Sequence, residues 1–174
     1  MSIAIETLFT TALGLQPPWH VAKVELSTGR RRIDFEVEHT GGRATCPACG
    51  VEHQLIHDRV RRSWRHLDFF QFEAWLHAEI PRVQCKGCGK TTQLPVPWAR
   101  EGNGFTLLFE ALSLSLCREM PVRQTAAQMR VAPKRLWGRI RHYVHRSRAR
   151  DDMSGARYVG IDETSVKRGH EYIT

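Results

Sequence analysis

Cys46-Pro47-Ala48-Cys49-Gly50 and Cys85-Lys86-Gly87-Cys88-Gly89 are two copies of one motif, C-x-x-C-G, which decides how the N-terminal half of this chain folds. A tight turn places both sulfur atoms of a pair on one side of a metal ion, and the glycine that follows allows a positive φ. Two such turns predict a tetrahedral site of four thiolates. The predicted ligands are Cys46, Cys49, Cys85 and Cys88. Because four thiolates leave no open position, we expect a structural Zn²⁺, with iron as the less favoured metal.

The 35 residues between the two pairs exceed the usual spacing and predict a zinc ribbon with an insertion. Independent thiols are the alternative for these cysteines. An odd number of cysteines, five, argues against a disulfide framework. We interpret Cys117 as a small core residue. Four histidines between the pairs could replace a cysteine ligand, but we interpret them as surface or nucleic-acid-facing residues: His53, His57, His66 and His77.

The composition is that of a globular protein, because 41% of the 174 residues are hydrophobic and 25% are charged. No run of about 18 uncharged apolar residues is present, so no membrane partner is expected. The first 20 residues lack the basic start of a signal peptide, and we expect a cytoplasmic location.

Hydrophobic periodicity predicts strands first and helices later. A short helix is expected over Ile3–Leu15, then a hairpin with Ala22, Val24 and Leu26 on its inner side opposite Ile33, Phe35 and Val37. A long strand is expected from Phe70 through Ile80 to Cys85, and residues 94–104 resemble a linker. Beyond it, helical spacing places Phe105, Leu108, Phe109, Leu112 and Leu116 on one face, and prolines 121 and 133 open two further helices.

The positive charge is concentrated in the helical segment. Between Arg118 and Arg150 the chain has ten Arg or Lys and one acid, whereas the remaining residues hold 16 basic and 17 acidic side chains. Such a one-sided run repels itself and indicates a polyanionic partner, with a solvated helix face as the alternative.

The second and third helices of this segment resemble a helix-turn-helix, in which the second helix enters the major groove of DNA. Lys134 and Arg135 occupy its first exposed turn, where we expect contacts with base edges. We expect three residues further along to contact the phosphate backbone: Arg139, His142 and Arg146. Arg130 stands where glycine is usual in the turn, and Ala132 where a Ser or Thr cap is usual. A plain three-helix packing unit is the alternative.

Two further groups of residues suggest function: a basic cluster on the ribbon and a pair of acids near the end of the sequence. A basic cluster on the ribbon could form a second contact surface: Arg59, Arg61, Arg62 and Arg65, beside Trp64. Near the end of the chain, Val159–Thr164 predicts an apolar strand in which Asp162 and Glu163 point to opposite faces, so these two acids cannot share one metal ion. Glu171 on a returning strand, after a turn around residues 168–169, is interpreted as a surface residue.

The order of these parts resembles the ISL-three family of bacterial insertion-sequence transposases. The likeness covers Leu13 to Thr174 and includes the residues from His57 to Leu67 and from Lys167 to His170. It implies a zinc ribbon and a helix-turn-helix that bind terminal inverted repeats, and an RNase H-like domain that cuts and joins DNA with three acids and Mg²⁺. It also implies that Asp162 is the first of these acids.

The second and third acids have no counterpart in this sequence. The resemblance therefore implies the DNA-binding half of a transposase plus the first hairpin of its catalytic domain, and we expect no strand transfer by this polypeptide alone. A truncated gene, a fragment, or a regulatory product that competes for the same DNA ends would each have such a sequence.

We therefore predict an α+β protein. It comprises a β-meander with a zinc ribbon (1–93), a linker (94–104), a three-helix helix-turn-helix unit (105–150) and the first hairpin of an incomplete RNase H-like domain (151–174). The expected partner is double-stranded DNA at transposon ends; formation of a homo-oligomer is left open. The expected cofactor is structural Zn²⁺, with Mg²⁺ only in a complete catalytic domain. The alternative is a stand-alone transcription regulator or an RNA-binding protein, which would not need Asp162.

Overall fold

The computed structural model describes residues 3–152, 154–155, 157–158, 160, 164–167 and 171–173. Within these residues the chain forms four helices and eight strands. In chain order they are α1 Ile5–Ala12, β1 Trp19–Ser27, β2 Arg32–His39, β3 Arg43–Ala44, β4 Gln54–Arg65, β5 Glu73–Gln84, β6 Thr91–Gln93, α2 Leu107–Glu119, α3 Val122–Gln128, α4 Pro133–Arg148, β7 Thr164–Lys167 and β8 Glu171–Ile173. The predicted α+β class is confirmed.

Six strands form one sheet in the order β1-β2-β5-β4-β3, and β6 pairs with the end of β5. The predicted β-meander is wrong, because β2 pairs in parallel with β5 rather than with the strand that follows it. The inward residues of β5 are each at most 1% exposed: Ala74, Leu76, Ala78 and Ile80. Because it pairs with β2 on one edge and β4 on the other, β5 lies in the middle of the sheet.

The first hairpin joins β1 and β2 as predicted, and the inner residues of β2 are buried: Ile33, Phe35 and Val37. The predicted inner side of β1 is wrong at its far end, where Leu26 is 56% exposed. A register shift between Val21 and Lys23 changes which side of the strand faces the core, so Val21 is buried instead. Helix α1 is shorter than predicted and ends before Gly14, which has a φ of +67°.

Residues 94–104 lie against the sheet and are part of its core. Leu94, Trp98 and Ala99 are buried there. The Trp98 ring meets the rings of Trp19 and Trp64 edge-on, with centroids 4.9 and 5.5 Å away. The domain boundaries predicted at residues 94 and 104 stay a prediction. In the structure the segment between them packs against the sheet.

The three helices α2, α3 and α4 surround a second core built on Phe105, Phe109 and Met129. The predicted inner face of α2 is partly wrong, because Leu108 and Leu112 are 56% and 42% exposed. Glu110 and Ser113 are buried in their place. The helix has this orientation because the Glu110 carboxylate is bound by groups on both sides of it, which are described below.

The sheet and the helical unit are joined by backbone hydrogen bonds at the end of β4. The Arg65 N–H donates to the Gly104 carbonyl at 3.0 Å, and the Arg65 carbonyl accepts from the Thr106 N–H at 3.0 Å. Thr106 is also the N-cap of α2, since its side chain accepts a hydrogen bond from the Phe109 N–H. The start of the helical unit is therefore positioned directly by the sheet.

Strands β7 and β8 pair antiparallel as a separate two-stranded sheet. The returning strand predicted for this region is therefore present. The predicted turn around residues 168–169 lies outside the described residues, and an RNase H-like identity for this hairpin stays a prediction.

Candidate functional site

The two C-x-x-C-G motifs form turns with the same hydrogen bonds. The Cys46 N–H donates to the Val51 carbonyl and the Gly50 N–H to the Cys46 carbonyl, each at 2.9 Å. At the second motif, Cys85 and Gly89 repeat both bonds at 2.9 Å. Gly50 and Gly89 have φ values of +76° and +70°. The glycines thus supply the left-handed conformation that the motif predicts, which a larger residue would adopt only with strain.

These turns bring the four cysteine sulfur atoms within 4.8 Å of one another. The Cys46 and Cys88 Sγ atoms are 3.9 Å apart, and those of Cys49 and Cys85 are 3.4 Å apart. Four thiolates around one zinc ion at about 2.3 Å would lie about 3.8 Å from each other. The residues present therefore fit a structural tetrahedral zinc site, and the predicted ligand set is brought together.

At Cys46, backbone N–H groups favour the thiolate, the form that binds metal. Burial raises the pKa of Cys46, but hydrogen bonds from the backbone N–H groups of Ala48 and Cys49 and from the thiols of Cys49 and Cys85 together lower it to about 6. At Cys49 a backbone hydrogen bond at Val51 lowers the pKa, but hydrogen bonds with the other thiols and burial raise it to about 12. At the second turn, the Gly87 N–H donates to the Cys85 Sγ at 3.3 Å. In both turns, backbone N–H groups therefore donate hydrogen bonds to a cysteine sulfur atom.

Helices α3 and α4 meet at a short turn, and small or apolar residues fill their contact. Ala126 and Leu136 are each 1% exposed, and Met129 is 8% exposed. Arg130 has a φ of +55°, which explains why glycine is usual at this position. Helix α4 begins at Pro133, and its N-cap Ala132 makes no side-chain hydrogen bond. The turn is formed despite both departures from the usual residues.

Contacts with the sheet hold Arg130 in this conformation. Its guanidinium contacts the Asp68 carboxylate and lies 3.6 Å from a Glu73 oxygen. Arg65, which is 1% exposed, contacts the same two acids from the other side. Its guanidinium carbon also lies 5.4 Å from the centroid of the Phe109 ring. Two arginines and two carboxylates therefore connect the helix-turn-helix to the sheet.

The five residues predicted to contact DNA have different surroundings on α4. Lys134 and Arg146 are exposed. The Arg135 guanidinium lies over the Phe105 ring, 4.0 Å from its centroid, and Arg139 donates to Asn103 Oδ1. These two side chains border a cleft of about 260 Å³ between α4 and residues 102–105. His142 is half-buried, and its pKa is lowered by burial and by the positive charge of nearby arginines, Arg100 first.

Sequence patterns missed a buried carboxylate at the centre of the helical unit. Glu110 is 0% exposed and accepts hydrogen bonds from Arg100, at 2.6 and 2.9 Å. Asn103 Nδ2 and Tyr143 Oη donate to the same carboxylate at 2.7 and 2.8 Å. Burial raises the pKa of Tyr143, and the hydrogen bond to the Glu110 carboxylate raises it further. Glu110 connects α2 to α4 and to the segment before α2.

The predicted second contact surface on the ribbon is wrong for two of its residues. Arg65 and Trp64 are 1% and 4% exposed, because β4 places both in contact with the core and the helical unit. Arg59, Arg61 and Arg62 remain exposed, and Arg61 is paired with Glu36. Three arginines, without the tryptophan, make up what is left of that surface.

Two of the four histidines are not the surface residues that the sequence suggests. The His77 side chain is 12% exposed; its Nε2 lies 2.6 Å from Asp34 Oδ1 and its Nδ1 lies 2.7 Å from Ser63 Oγ. Burial and the charge of Arg65 lower the pKa of His66 to about 4. His53 and His57 are exposed as expected. These histidines are not in the cysteine cluster that fits the metal.

Asp162, the predicted first catalytic acid, lies outside the described residues, and its role stays a prediction.

Among the helices that the structure describes, none is both long and apolar enough to cross a lipid bilayer. Cys117, predicted to be a core residue, is half-buried on α2.

Comparison with known proteins identifies both modules. Residues 42–88 match the model of the zinc finger of transposases IS204, IS1001, IS1096 and IS1165. Residues 94–144 match the model of the helix-turn-helix domain of transposase family ISL3. No solved structure matches the chain.

Two curated relatives agree with these matches. The transposase for insertion sequence element IS1557 of Mycobacterium tuberculosis is 35% identical over 114 residues, which is 65% of this chain and 26% of that protein. The transposase for IS1001 of Bordetella parapertussis is 22% identical over 144 residues, or 83% of this chain and 36% of that protein. The matched region thus spans about a quarter to a third of the length of these relatives. This chain, with its zinc ribbon and its DNA-binding helix-turn-helix domain, belongs to the ISL3 (ISL-three) family of transposases.

Proposed function

We propose that this chain recognises the terminal inverted repeats of an insertion sequence and is the DNA-binding portion of a transposase. The observation that carries the proposal is α4, a 16-residue helix without a single acidic residue that begins at the turn of a helix-turn-helix. The family match and the concentration of positive charge between residues 118 and 150 support it. A cytoplasmic location, where bacterial DNA lies, belongs to the same proposal.

Within this proposal, Lys134 and Arg135 contact base edges, and the predicted backbone contacts follow them: Arg139, His142 and Arg146. Lys134 and Arg146 are free to do so in the structure, since among the described residues neither forms an ion pair. Arg135 and Arg139 would have to exchange their contacts with Phe105 and Asn103 for contacts with DNA. The zinc site is structural and holds the sheet on which the helical unit rests.

Catalysis would involve residues outside the DNA-binding helix α4. Asp162 would be the first acid of an RNase H-like domain that begins with the β7–β8 hairpin, and Mg²⁺ would serve a complete domain that holds all three acids.

Binding is tested with the 174-residue chain and labelled duplexes that carry the inverted repeats of its own element. We expect tighter binding to these ends than to a scrambled duplex or to an RNA of the same sequence, with affinity falling as salt rises. Lys134→Ala should reduce the preference for the repeats. Mass measurement of the complex gives the number of chains on each end. Equal affinity for repeats and scrambled DNA would contradict recognition, and tighter binding to RNA would favour the alternative function.

A further inference from the structure

Helix α4 has one side that faces the protein and another that faces solvent. Leu136 is 1% exposed, and Ile140 and Tyr143 are half-buried on the same side. With 3.6 residues per turn, the opposite side carries positions spaced by four, three and four residues. These positions are Lys134, Gly138, Arg141 and His145, of which all but Gly138 are exposed and Gly138 is partly exposed. Lys134 and Gly138 also border the cleft between α4 and residues 102–105.

An exposed tryptophan borders this stripe. Trp137 is 53% exposed, and it lies three residues after Lys134 and four before Arg141, the spacings at which helical side chains are neighbours. The indole ring therefore offers an exposed apolar surface between two cations. It suits a partner that offers both negative charge and apolar surface.

Gly138 makes the same side unusually flat. A Cβ atom added at this position would meet nothing within 4 Å, so the glycine is not required by packing within the protein. Its φ is not in the left-handed region either, and a glycine inside a helix costs about 1 kcal/mol relative to alanine. The absence of a side chain there lets a partner come close to the helix backbone between Trp137 and Arg141.

Two cations on the neighbouring side, Arg135 and Arg139, already contact other parts of the protein. Arg135 lies over Phe105, and Arg139 contacts Asn103 and lies 3.8 Å from the Glu110 carboxylate. Among the described residues, Arg141 forms no ion pair. Among the described residues, the exposed cations of α4 that form no ion pair therefore include Lys134 and Arg141 of the solvent-facing stripe, and Arg146 beside it.

We propose that Trp137 and Arg141 contact bases in the major groove, where Trp137 packs against a thymine methyl group and Arg141 donates to a guanine. The inference rests on the proposed function and adds two specificity-determining residues to it. The major groove is about 12 Å wide and admits a helix, its thymines present a methyl group, and arginine pairs with the O6 and N7 of guanine. Gly138 allows the close approach that both contacts need.

The experiment selects 20-base-pair duplexes from a random library with the wild-type chain and with variants. Replacing each selected thymine by deoxyuridine then removes one methyl group at a time. We expect wild-type affinity to fall several-fold at one uracil position and Trp137→Ala to lose that sensitivity. Arg141→Ala should lower affinity about tenfold or more and relax the choice of guanine at one position, and Arg141→Lys should not restore it.

Matched controls separate this inference from binding in general. Val144→Ala removes another exposed apolar side chain of α4, 47% exposed, and should select the wild-type sequence. Arg146→Ala should weaken binding to all duplexes alike, as the loss of a phosphate contact does. Thermal unfolding checks that each variant folds. If wild type selects a sequence and Trp137→Ala and Arg141→Ala select the same one with the same uracil sensitivity, the inference fails alone. If wild type selects no sequence, the proposed function fails with it.

Discussion

The guanidinium of Arg130, in the turn between α3 and α4, contacts the carboxylate of Asp68, which lies between β4 and β5. The contact joins the two modules across a sequence distance of 62 residues. It also involves a residue whose backbone has a φ of +55°, a conformation that costs a non-glycine residue about 1–2 kcal/mol. The ion pair with the sheet therefore accompanies a strained turn in the helix-turn-helix.

Two substitutions of Arg130 separate the contribution of its ion pairs from the cost of its backbone conformation. Arg130→Ala removes the contacts with Asp68 and Glu73 and keeps the strained φ, so we expect a loss of about 1 kcal/mol in the free energy of unfolding. Arg130→Gly removes the same contacts but relieves the strain, so it should be more stable than the alanine variant by about 1 kcal/mol. Urea unfolding of both variants measures the difference. A glycine variant less stable than the alanine variant would show that the φ at this position is not strained.

Removal of zinc tests the cysteine cluster. We expect one zinc ion per purified chain and, on chelation, loss of the β-sheet signal in circular dichroism, because metal binding contributes directly to the stability of such sites. Cys85→Ser should abolish zinc binding. Cys117→Ser is the matched control and should retain the ion, since Cys117 lies on α2, away from the cluster. A metal-free chain with an unchanged spectrum would contradict the structural role.

Local patterns predicted the parts of the site that depend on neighbours in sequence. The cysteine turns were predictable because Gly50 and Gly89 follow their motifs directly, and the start of α4 because Pro133 suits a first helical position. By contrast, β4 was missed because basic side chains occupy both of its faces. Arg65 was assigned to the surface because its buried position depends on Asp68 and Glu73, which the sequence alone does not place beside it.

The orientation of helices was harder to predict for the same reason. Periodicity favours Leu108 and Leu112 on the inner face of α2, yet the structure buries Glu110. Four hydrogen bonds from Arg100, Asn103 and Tyr143 compensate for burying that carboxylate. Three of those bonds come from Arg100 and Asn103, which precede α2 in the chain. The fourth comes from Tyr143 on α4, 33 residues from Glu110. Hydrophobic spacing within α2 therefore contains no information about these bonds.

Glu110 should be essential for the stability of the helical unit. Glu110→Gln removes the charge that Arg100 contacts and leaves a partly buried guanidinium without its partner, so we expect a loss of about 3 kcal/mol in the free energy of unfolding. Glu119→Gln, an exposed change on the same helix, should change stability by less than about 0.5 kcal/mol. Denaturant unfolding compares the two. Equal stability of both variants would mean that the buried ion pair contributes no net stability.

The stability of the protein should decrease in mild acid because of His66. Burial and the adjacent Arg65 lower the pKa of His66 to about 4 in the folded chain, whereas an unfolded chain has a histidine pKa of about 6.5. As pH falls through 6.5, the unfolded state takes up a proton that the folded state does not, so the free energy of unfolding falls until pH is near 4. The contribution of this histidine is about 3 kcal/mol over that interval.

The variant His66→Gln isolates this contribution, because release of zinc in acid affects both proteins alike. Glutamine keeps a polar group near Thr106, whose Oγ1 lies 2.9 Å from His66 Nδ1, and it does not titrate. We therefore expect wild type to lose stability relative to the variant as pH falls from 7 to about 4.5, measured by urea unfolding at each pH. His57→Gln, at an exposed histidine, should follow wild type. A constant difference between wild type and His66→Gln over this range would show that His66 takes up its proton equally in the folded and unfolded states.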